Sequence, residues 1–362
     1  MKKITSMILA LVFAVSLIGT ASAKTLKIQL TFPKTSYDGQ IVKMWTDRVT
    51  QLTRGELKFE LLSKGEVVGM KETLEAVDKG LVDGGAAWTH YWSNYHPAAM
   101  LFGSPVAGGG IGLSTKSWLA WYFDNGGKEL YDQLWSEMGM NVKGFVMASS
   151  GPEALGWFKE PIKNMDDFRK YRFRTPPGIP GQTYKDIGIA SVSLSGGDIL
   201  PALEKGTIDA AEWCCPKPDS VFGFQKVLKN YYLQGLHQNV VNGDIYINGD
   251  VYNSLTDHQK YAMEVASEAM ITRNITNRAV ENGKALIDLT ENHGVKLWDT
   301  PADYFTEYMN AAQATLKKNA ADNAFFKEVY EHMTAHAKIV VPFIAQMETS
   351  DASIGTAFAK QQ

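Results

Sequence analysis

Cysteines and long apolar runs are scarce in this chain of 362 residues. The two cysteines, Cys214 and Cys215, are neighbours, so no long-range disulfide cross-links the fold. After the N-terminal segment, no uninterrupted apolar run approaches the length that a bilayer crossing requires. These two absences predict a soluble mature protein that is held together by its hydrophobic cores.

Basic residues do not outnumber acidic ones. The chain has 36 Lys and Arg against 39 Asp and Glu, a net charge of -3. Residues 1–23 contain Lys2 and Lys3 and no acidic residue, so their removal leaves 34 basic and 39 acidic residues, a net charge of -5. Nucleic-acid binding needs a basic face, and this balance argues against it.

Common nucleotide-binding motifs are missing as well. The glycine-rich segment fails as a dinucleotide fingerprint, because the last glycine of GxGxxG falls on Leu113 when counted from Gly108 and on Thr115 when counted from Gly110. No P-loop is present. These absences argue against a nucleotide cofactor.

The N-terminus has the pattern of a secretory signal peptide. Lys2 and Lys3 precede a short apolar run from Met7 to Ile18, and Ala21-Ser22-Ala23 offers small residues for cleavage after Ala23. The run is too short to span a membrane. We therefore expect residues 1–23 to be removed and the mature protein to be exported to the periplasm.

One stretch occurs twice. LPALEKGTIDAAEWCC at 200–215 reads as a helix end, a Lys-Gly stop and a short strand, and LEAVDKGLVDGGAAW at 74–88 repeats that order. Two distant copies predict two similar α/β lobes, and ligands of such sheets bind outside the carboxyl ends of the strands. Since helix-glycine-strand units are common, a chance resemblance is the alternative.

The remaining pattern predicts an α/β protein whose lobes resemble a periplasmic binding protein, with a ligand cleft between them. Strand, helix and strand at 24–33, 39–52 and 57–62 make a βαβ unit. Further along we predict one helix over 118–138, a strand over 141–149, a helix over 219–230, a strand over 244–248, a long helix over 257–293, and helices after 302 that Pro342 interrupts.

These elements suggest the following boundaries: signal peptide 1–23; lobe I, 24–148 plus about 239–256; lobe II, 149–238 plus about 294–300; bridging helix 257–293; helical C-terminal region 301–362. The C-terminal region is longer than two lobes need. The apolar positions of 335–358 suggest either a homodimer helix or a helix that packs on its own lobe.

Candidate binding residues cluster at predicted strand ends. A strand over 171–175 has Arg172 and Arg174 on one face and is stopped by Pro176-Pro177-Gly178. An arginine at this edge presents a planar fork that suits a carboxylate, and we assign that role to Arg174 and a surface role to Arg172. Trp88, Tyr91 and Phe102 could line an apolar pocket or fill a core.

At this point the chain resembles a known family, the solute-binding receptors of tripartite ATP-independent periplasmic (TRAP) transporters, and in particular the branch that binds 2-oxo and hydroxy acids. The resemblance rests on GPEALGWFKEPI at 151–162, YRFRTPPG at 171–178, LEKGTIDAAEW at 203–213 and GFQKVLKNYYLQGLHQ at 223–238.

The resemblance implies a receptor that delivers a small organic acid to a TRAP membrane permease. It places Arg174 on the carboxylate and implies a bridging sodium or calcium ion held by Glu212, Trp213, Glu153 and the neighbourhood of His237 and Gln238. Hard cations prefer such oxygen ligands. The expected substrate-binding residues are Arg174, Glu153, Trp213, Trp88, Tyr91, Phe102 and Gln238.

Two features depart from the family pattern. Glu153 stands where the family has an amide. Its negative charge favours a divalent ion such as calcium; alternatively, the Glu153 carboxylate pairs with an ammonium or hydroxyl group of the ligand. Cys214-Cys215 replaces small or apolar residues, and the pair is either a vicinal disulfide or two buried thiols.

Two other function classes remain as alternatives. An exported lyase or hydrolase could use Glu153 and Glu212 as an acid/base pair, but the chain has no GxSxG or HExxH motif and only seven histidines. A receptor of an ATP-driven transporter, or a sensor domain, would differ mainly in its partner. The sequence does not identify the acid.

Overall fold

The strands form two separate sheets in the computed structural model of the protein, which describes residues 23–359. The predicted signal peptide lies outside the described residues except for Ala23. The strands are β1 Lys24–Leu30, β2 Leu57–Leu62, β3 Gly84–Trp88, β4 Val142–Ser150, β5 Gly156–Phe158, β6 Arg172–Arg174, β7 Ala190–Val192, β8 Ala210–Ala211, β9 Asn230–Tyr232, β10 Val241–Asn248 and β11 Lys296–Trp298.

Thirteen α-helices are present in the described part of the chain. They are α1 Tyr37–Leu52, α2 Thr73–Asp78, α3 Ala99–Gly103, α4 Thr115–Asp124, α5 Gly127–Glu137, α6 Met165–Phe168, α7 Ile179–Asp186, α8 Gly196–Glu204, α9 Pro216–Phe222, α10 Gly249–Asn253, α11 Asp257–Glu291, α12 Ala302–Asp322 and α13 Ala324–Ala359. None of them combines the length and the apolar character that a membrane crossing demands.

Each sheet is the base of one lobe. The first has the order β2-β1-β3-β10-β4, and we call the part of the chain built on it lobe I. The second has the order β11-β9-β5-β8-β6-β7 and is the base of lobe II. The two-lobed α/β prediction is thus confirmed.

The chain leaves lobe I through β4 and returns to it through β10. These strands pair antiparallel along their length, from Val241 opposite Ser150 to Asn248 opposite Val142. All of lobe II up to β9 is inserted between them. The ends of β4 and β10 that adjoin this insertion therefore lie side by side, facing the cleft.

The long helix α11 touches both lobes. Its start is fixed by a capping box, in which Thr256 accepts from the Gln259 N–H and the Gln259 side chain accepts from the Thr256 N–H. Along its length α11 packs on α1 and β4 of lobe I and on α9 of lobe II. A helix of 35 residues is about 50 Å long, which is enough to span two lobes.

Three predicted elements need correction. The helix over 118–138 is two helices, α4 and α5, because Gly126 between them has φ 79° and interrupts the helical backbone. The helix over 219–230 ends at Gly223, whose φ is 86°, and continues only as a 3-10 turn. Helix α13 is not interrupted at Pro342. Proline has no N–H to donate to the Lys338 carbonyl, but Lys338 is exposed, so water can take the place of that donor.

Candidate ligand and cation site

A cavity of about 90 Å³ lies between the lobes. That volume is several times the roughly 10–15 Å³ that one ordered water needs, and suits a small ligand. Six of the eight residues predicted for the site line it: Trp88, Tyr91, Glu153, Arg174, Trp213 and Gln238.

Arg174 is fixed at the end of β6. Its Nε and Nη2 donate to the Leu194 carbonyl at 3.1 and 2.9 Å, and its Nη1 donates to the Glu212 carbonyl at 3.1 Å and to the Glu212 carboxylate. Four of the five guanidinium N–H donors are thereby engaged, which leaves one on Nη2. Arg172, on the same strand, is exposed and pairs with Asp209 at 2.8 Å, as a surface residue does.

Three ionisable side chains converge at the cavity wall. Ligand atoms of Glu153, Glu212 and His237 all lie within 4.8 Å of one another. Glu212 Oε2 is 3.5 Å from His237 Nε2, and His237 Nδ1 is 3.1 Å from the Tyr184 hydroxyl. All three residues are buried, Glu212 and His237 completely.

One atom of each member of this trio has no hydrogen-bond partner among the described residues: Glu153 Oε2, Glu212 Oε2 and His237 Nε2. Unsatisfied buried polar atoms are costly, and three that face one another need a common partner. Two carboxylate oxygens and an imidazole nitrogen are all cation ligands. The residues present therefore fit a bound cation.

The backbone holds the two glutamates together. The Glu153 N–H donates to the Gln238 carbonyl at 3.0 Å, and the next N–H, of Ala154, donates to the Cys214 carbonyl at 2.8 Å. Gly151, two residues before Glu153, has φ 118°, and a Cβ there would lie 2.5 Å from the Asn239 carbonyl oxygen. Only glycine fits this turn into the site.

Burial and charge push the two carboxyl pKa values apart. Burial raises the pKa of Glu153 well above its usual range, and the neighbouring charge of Glu212 raises it further. Burial also tends to raise the pKa of Glu212, but Arg174 and His237 outweigh it and the pKa is lowered. Glu212 is thus the more acidic carboxyl of the pair, and Glu153 is the one that is more readily protonated.

Two tryptophans from different lobes face the cavity. Trp213 of lobe II packs against the Arg174 guanidinium, whose carbon lies 5.2 Å from the ring centroid. Trp88, at the end of β3 in lobe I, packs in the same way against Arg278 at 5.7 Å. Each ring covers an arginine and excludes water from it.

Phe102 does not belong to the site. It is fully buried in the core of lobe I, where its ring lies 5.6 Å from Trp121 and 5.7 Å from Tyr131. Its segment is the short helix α3, which points this side chain inward. The sequence could not distinguish that core position from a pocket wall.

Three ionisable lining residues were missed by the sequence analysis: Asp38, His90 and Arg278. Arg278, in the middle of α11, is buried and donates to Asp38 Oδ1 at 2.9 Å. Burial lowers the pKa of His90 to about 4, so this imidazole is neutral. Only the position of Asp38 in the first turn of a helix gave a local signal, and that signal indicates helix stabilisation rather than binding.

Comparison with known proteins identifies a family and curated relatives by sequence. The model of the bacterial extracellular solute-binding proteins, family 7, matches residues 30–323. A monocarboxylate 2-oxoacid-binding periplasmic protein of Nostoc sp. is 32% identical over 298 residues, which are 80% of this chain and 78% of that protein.

Solved structures share the fold. A TRAP transporter solute binding protein from Bordetella bronchiseptica is 25% identical with a TM-score of 0.85, covering 94% of this chain and 99% of that one; it is a mixed occupancy dimer with copurified calcium and picolinate in one active site and an apo second site. One from Pseudoalteromonas atlantica, with bound sodium and pyruvate, is 21% identical with a TM-score of 0.81 and covers 92% and 98% of the two chains.

Proposed function

The chain belongs to family 7 of the bacterial extracellular solute-binding proteins, and we propose that it is a periplasmic TRAP receptor that binds a small 2-oxo or hydroxy monocarboxylate together with a cation. The observation that carries the proposal is the convergence of Glu153, Glu212 and His237 beside Arg174, each with an unpartnered atom or donor. The names of the Nostoc and Bordetella proteins support it.

Arg174 and the cation have complementary tasks. The remaining Nη2 donor of Arg174 would hold one carboxylate oxygen of the acid. Glu212, Glu153, Gln238 and the backbone at Trp213 would hold the cation, which supplies a positive centre for the carboxylate and the adjacent oxygen. We propose His237 as a further candidate ligand, because its ring lies beside both glutamates.

Charge balance favours a divalent cation. Asp38, Glu153 and Glu212 carry three negative charges when ionised, and Arg174 and Arg278 carry two positive ones. With His237 counted as a neutral ligand of the cation, the site has a net charge of -1. A divalent ion and a monocarboxylate bring this to zero, whereas sodium leaves -1. Because an uncompensated buried charge is costly, we propose calcium as the physiological ion.

Trp88, Tyr91 and Trp213 provide the apolar part of the site. The two tryptophans cover the two arginines, and Tyr91 lines the cavity with them. The small volume that remains suits an acid of few carbon atoms. We propose that the lobes, with the boundaries given above, close over the acid and that α11 acts as their common support. The closed form would then be recognised by the membrane permease.

The test is thermal unfolding of the mature protein with a panel of carboxylates. Pyruvate, lactate, longer 2-oxo acids and picolinate are each added with calcium, with sodium and with chelator, after co-purified ligand has been removed by unfolding and refolding. A ligand at 100 times its Kd stabilises the native state by about 2.7 kcal/mol, which gives a clear shift.

We expect a shift for a 2-oxo or hydroxy acid that calcium strengthens and chelator removes. Dicarboxylates and amino acids serve as matched negative controls, since they carry additional charges. A panel without any shift would contradict the carboxylate assignment, and a shift that chelator does not change would contradict the cation. Turnover of the acid would favour an exported enzyme with Glu153 and Glu212 as acid and base, which the family does not support.

We further propose that the protein forms a homodimer through α13. Its outer face exposes an apolar stripe at helical spacing, consisting of Ile339, Phe343, Met347, Ile354 and Phe358, each more than half exposed. A second copy is the occupant that this stripe suits, and the Bordetella protein is a dimer.

Light scattering after size-exclusion chromatography tests this proposal. The wild type is expected to have twice the mass of the chain, and the double variant Ile339→Ser/Phe343→Ser the mass of one chain. Lys338→Ser, an exposed polar neighbour, is the control and should leave the dimer intact. A wild type that is monomeric at every concentration would contradict the dimer.

A further inference from the structure

The only two cysteines of the chain lie in the wall of the candidate site. Cys214 lines the cavity, and Cys215 is directly behind it. Their relative exposures are 9% and 7%, so the cavity side is their route to solvent. The two Sγ atoms are 2.8 Å apart, which means that the side chains point at each other rather than to opposite sides of the chain.

The surroundings hold this pair firmly. Arg278 Nη1 donates to both sulfurs, at 3.5 Å to Cys214 and 3.7 Å to Cys215. The Cys214 N–H donates to Asp219 Oδ1 at 3.0 Å, and the Cys214 carbonyl accepts from the Ala154 N–H at 2.8 Å. Sulfur geometry and backbone are therefore both constrained.

The same contacts connect the pair to the candidate cation ligands. Glu153 directly precedes Ala154, whose N–H is bonded to Cys214, and Glu212 is two residues before Cys214 in the chain. Arg278, which donates to both sulfurs, also bonds Asp38 of lobe I and packs against Trp88. A change at the sulfurs is thus transmitted to both lobes of the site.

We propose that Cys214 and Cys215 form a reversible oxidation site, which closes to a vicinal disulfide and thereby weakens ligand binding. The part that concerns binding rests on the proposed function. Adjacent cysteines can close only a small strained ring, and strained disulfides are the labile, regulatory kind. An exported protein meets the thiol oxidants that such a site needs.

The chemistry is thiol–disulfide exchange with a low-molecular-weight or protein disulfide as oxidant. One cysteine, as its thiolate, attacks a sulfur of the oxidant, and the oxidant's other sulfur leaves as a thiol after taking up a proton. The second cysteine then attacks the mixed disulfide and expels the remaining half of the oxidant. In total the pair loses two protons and two electrons, and the oxidant's disulfide becomes two thiols.

Closure of the disulfide changes the site in two ways. The sulfurs must approach each other, which twists the Cys214–Cys215 peptide between backbone groups that are already bonded to Ala154 and Asp219. Arg278 loses two hydrogen-bond acceptors and is drawn towards Asp38, its remaining charged partner. Both movements displace groups that face the ligand.

Alkylation and calorimetry on the mature protein test the proposal. The protein is reduced with dithiothreitol, freed of it, and divided into a reduced sample and one incubated with oxidised glutathione. Each is quenched with iodoacetamide under denaturing conditions for mass analysis. The affinity for pyruvate with calcium, or for another acid identified by the panel above, is then measured on both.

We expect two alkylated cysteines in the reduced sample and none in the oxidised one. The oxidised protein should bind at least about tenfold more weakly, as a site displaced by a fraction of an ångström does. Dithiothreitol should restore both readouts. The double variant Cys214→Ser/Cys215→Ser, which has no thiol for the oxidant to react with, should show no response of its affinity to the oxidant.

Two results would overturn the proposal. One is free thiols at both positions after oxidant treatment of the folded protein. The other is a disulfide that forms and leaves the affinity unchanged. If the reduced protein bound no carboxylate at all, the proposed function would fail, while the alkylation pattern would still decide whether the disulfide forms.

Discussion

The two copies of the Lys-Gly repeat have nearly the same backbone hydrogen bonds. In lobe I the Gly80 N–H donates to Val77 at 3.0 Å and the Leu81 N–H to Ala76 at 2.8 Å. In lobe II the Gly206 N–H donates to Leu203 at 3.1 Å and the Thr207 N–H to Ala202 at 2.8 Å. The glycine φ values, 68° and 67°, are equal within a degree.

The copies differ at the strand end, where each meets the cavity. In lobe I the residue before the tryptophan is Ala87, and in lobe II it is Glu212. Both tryptophans cover an arginine, but only Trp213 covers one that is paired with a buried carboxylate of its own lobe. The same helix-glycine-strand backbone thus occurs in both lobes. The copy in lobe II brings a buried ion pair to the cavity, and the copy in lobe I brings only an aromatic side chain.

The largest predicted effect comes from removing the arginine of lobe II. Arg174→Ala should weaken binding of the acid by at least about 100-fold, because it removes a charge-assisted contact and leaves Glu212 buried without its partner. Calorimetry measures the affinity, and circular dichroism checks that the fold survives.

Arg172→Ala is the matched control from the same strand. Its partner Asp209 is near the surface, so the affinity should not change and the free energy of unfolding should fall only slightly. Retained tight binding by Arg174→Ala would remove the carboxylate from the proposed function.

The second prediction concerns the extra charge of lobe II. Glu153→Gln removes one negative charge from the cation ligands, so the affinity for calcium should fall about tenfold or more and sodium should become sufficient for binding of the acid. Thermal shifts in calcium, in sodium and in chelator measure this change. An unchanged preference for calcium would show that Glu153 is not a ligand.

The same variant also tests how calcium affinity depends on pH. The pKa of Glu153 is raised by burial and by Glu212, so at any pH below that raised pKa the wild type releases a proton from this carboxyl when a cation binds. Calcium affinity should therefore rise with pH until the raised pKa is passed, and fall as the pH is lowered. In Glu153→Gln the contribution of this group disappears, which calorimetry in buffers of different pH can measure.

The third prediction compares the two tryptophans. Trp213→Leu should weaken binding about tenfold and Trp88→Leu about threefold, because Trp213 also orients the arginine that holds the carboxylate. Calorimetry on both variants gives the ratio. Equal losses would indicate that the lobes contribute equally, in disagreement with the charge asymmetry of the two copies.

Periodicity was sufficient for most of the fold. The alternation over β1 and β2 and the helical spacing of α1 are local properties of the sequence, and so is the repeat that predicts two similar units. Breaks were harder, because Gly126 ends a helix and Pro342 does not. The difference depends on backbone angle and on water access to a freed carbonyl, which a residue type alone does not specify.

For the site, residues beside turns were predictable and residues within helices were not. Arg174, Glu153 and Glu212 follow strands or glycines, where side chains reach the edge of a sheet. Arg278 lies in the middle of α11 and faces the cavity only because that helix packs on both lobes. Phe102 shows the reverse, since an aromatic residue at this position suited a pocket wall or a core equally well, and packing made it a core residue.

The smallest predicted effect tests the equivalence of the two copies directly. Gly80→Ala and Gly206→Ala each force a Cβ into a left-handed backbone, while the added atom meets nothing closer than 4.0 Å in either place. Each should therefore lower the free energy of unfolding by the same amount, about 1 kcal/mol, without changing the affinity for the acid. Gly197→Ala, at an exposed helical position with open space around it, is the control and should stabilise the protein slightly.

Because the two glycines are in different lobes, the free energy of unfolding of the double variant Gly80→Ala/Gly206→Ala should fall by the sum of the two single losses. Clearly unequal losses in thermal or denaturant unfolding would mean that the two copies contribute differently to stability although their backbone hydrogen bonds are the same.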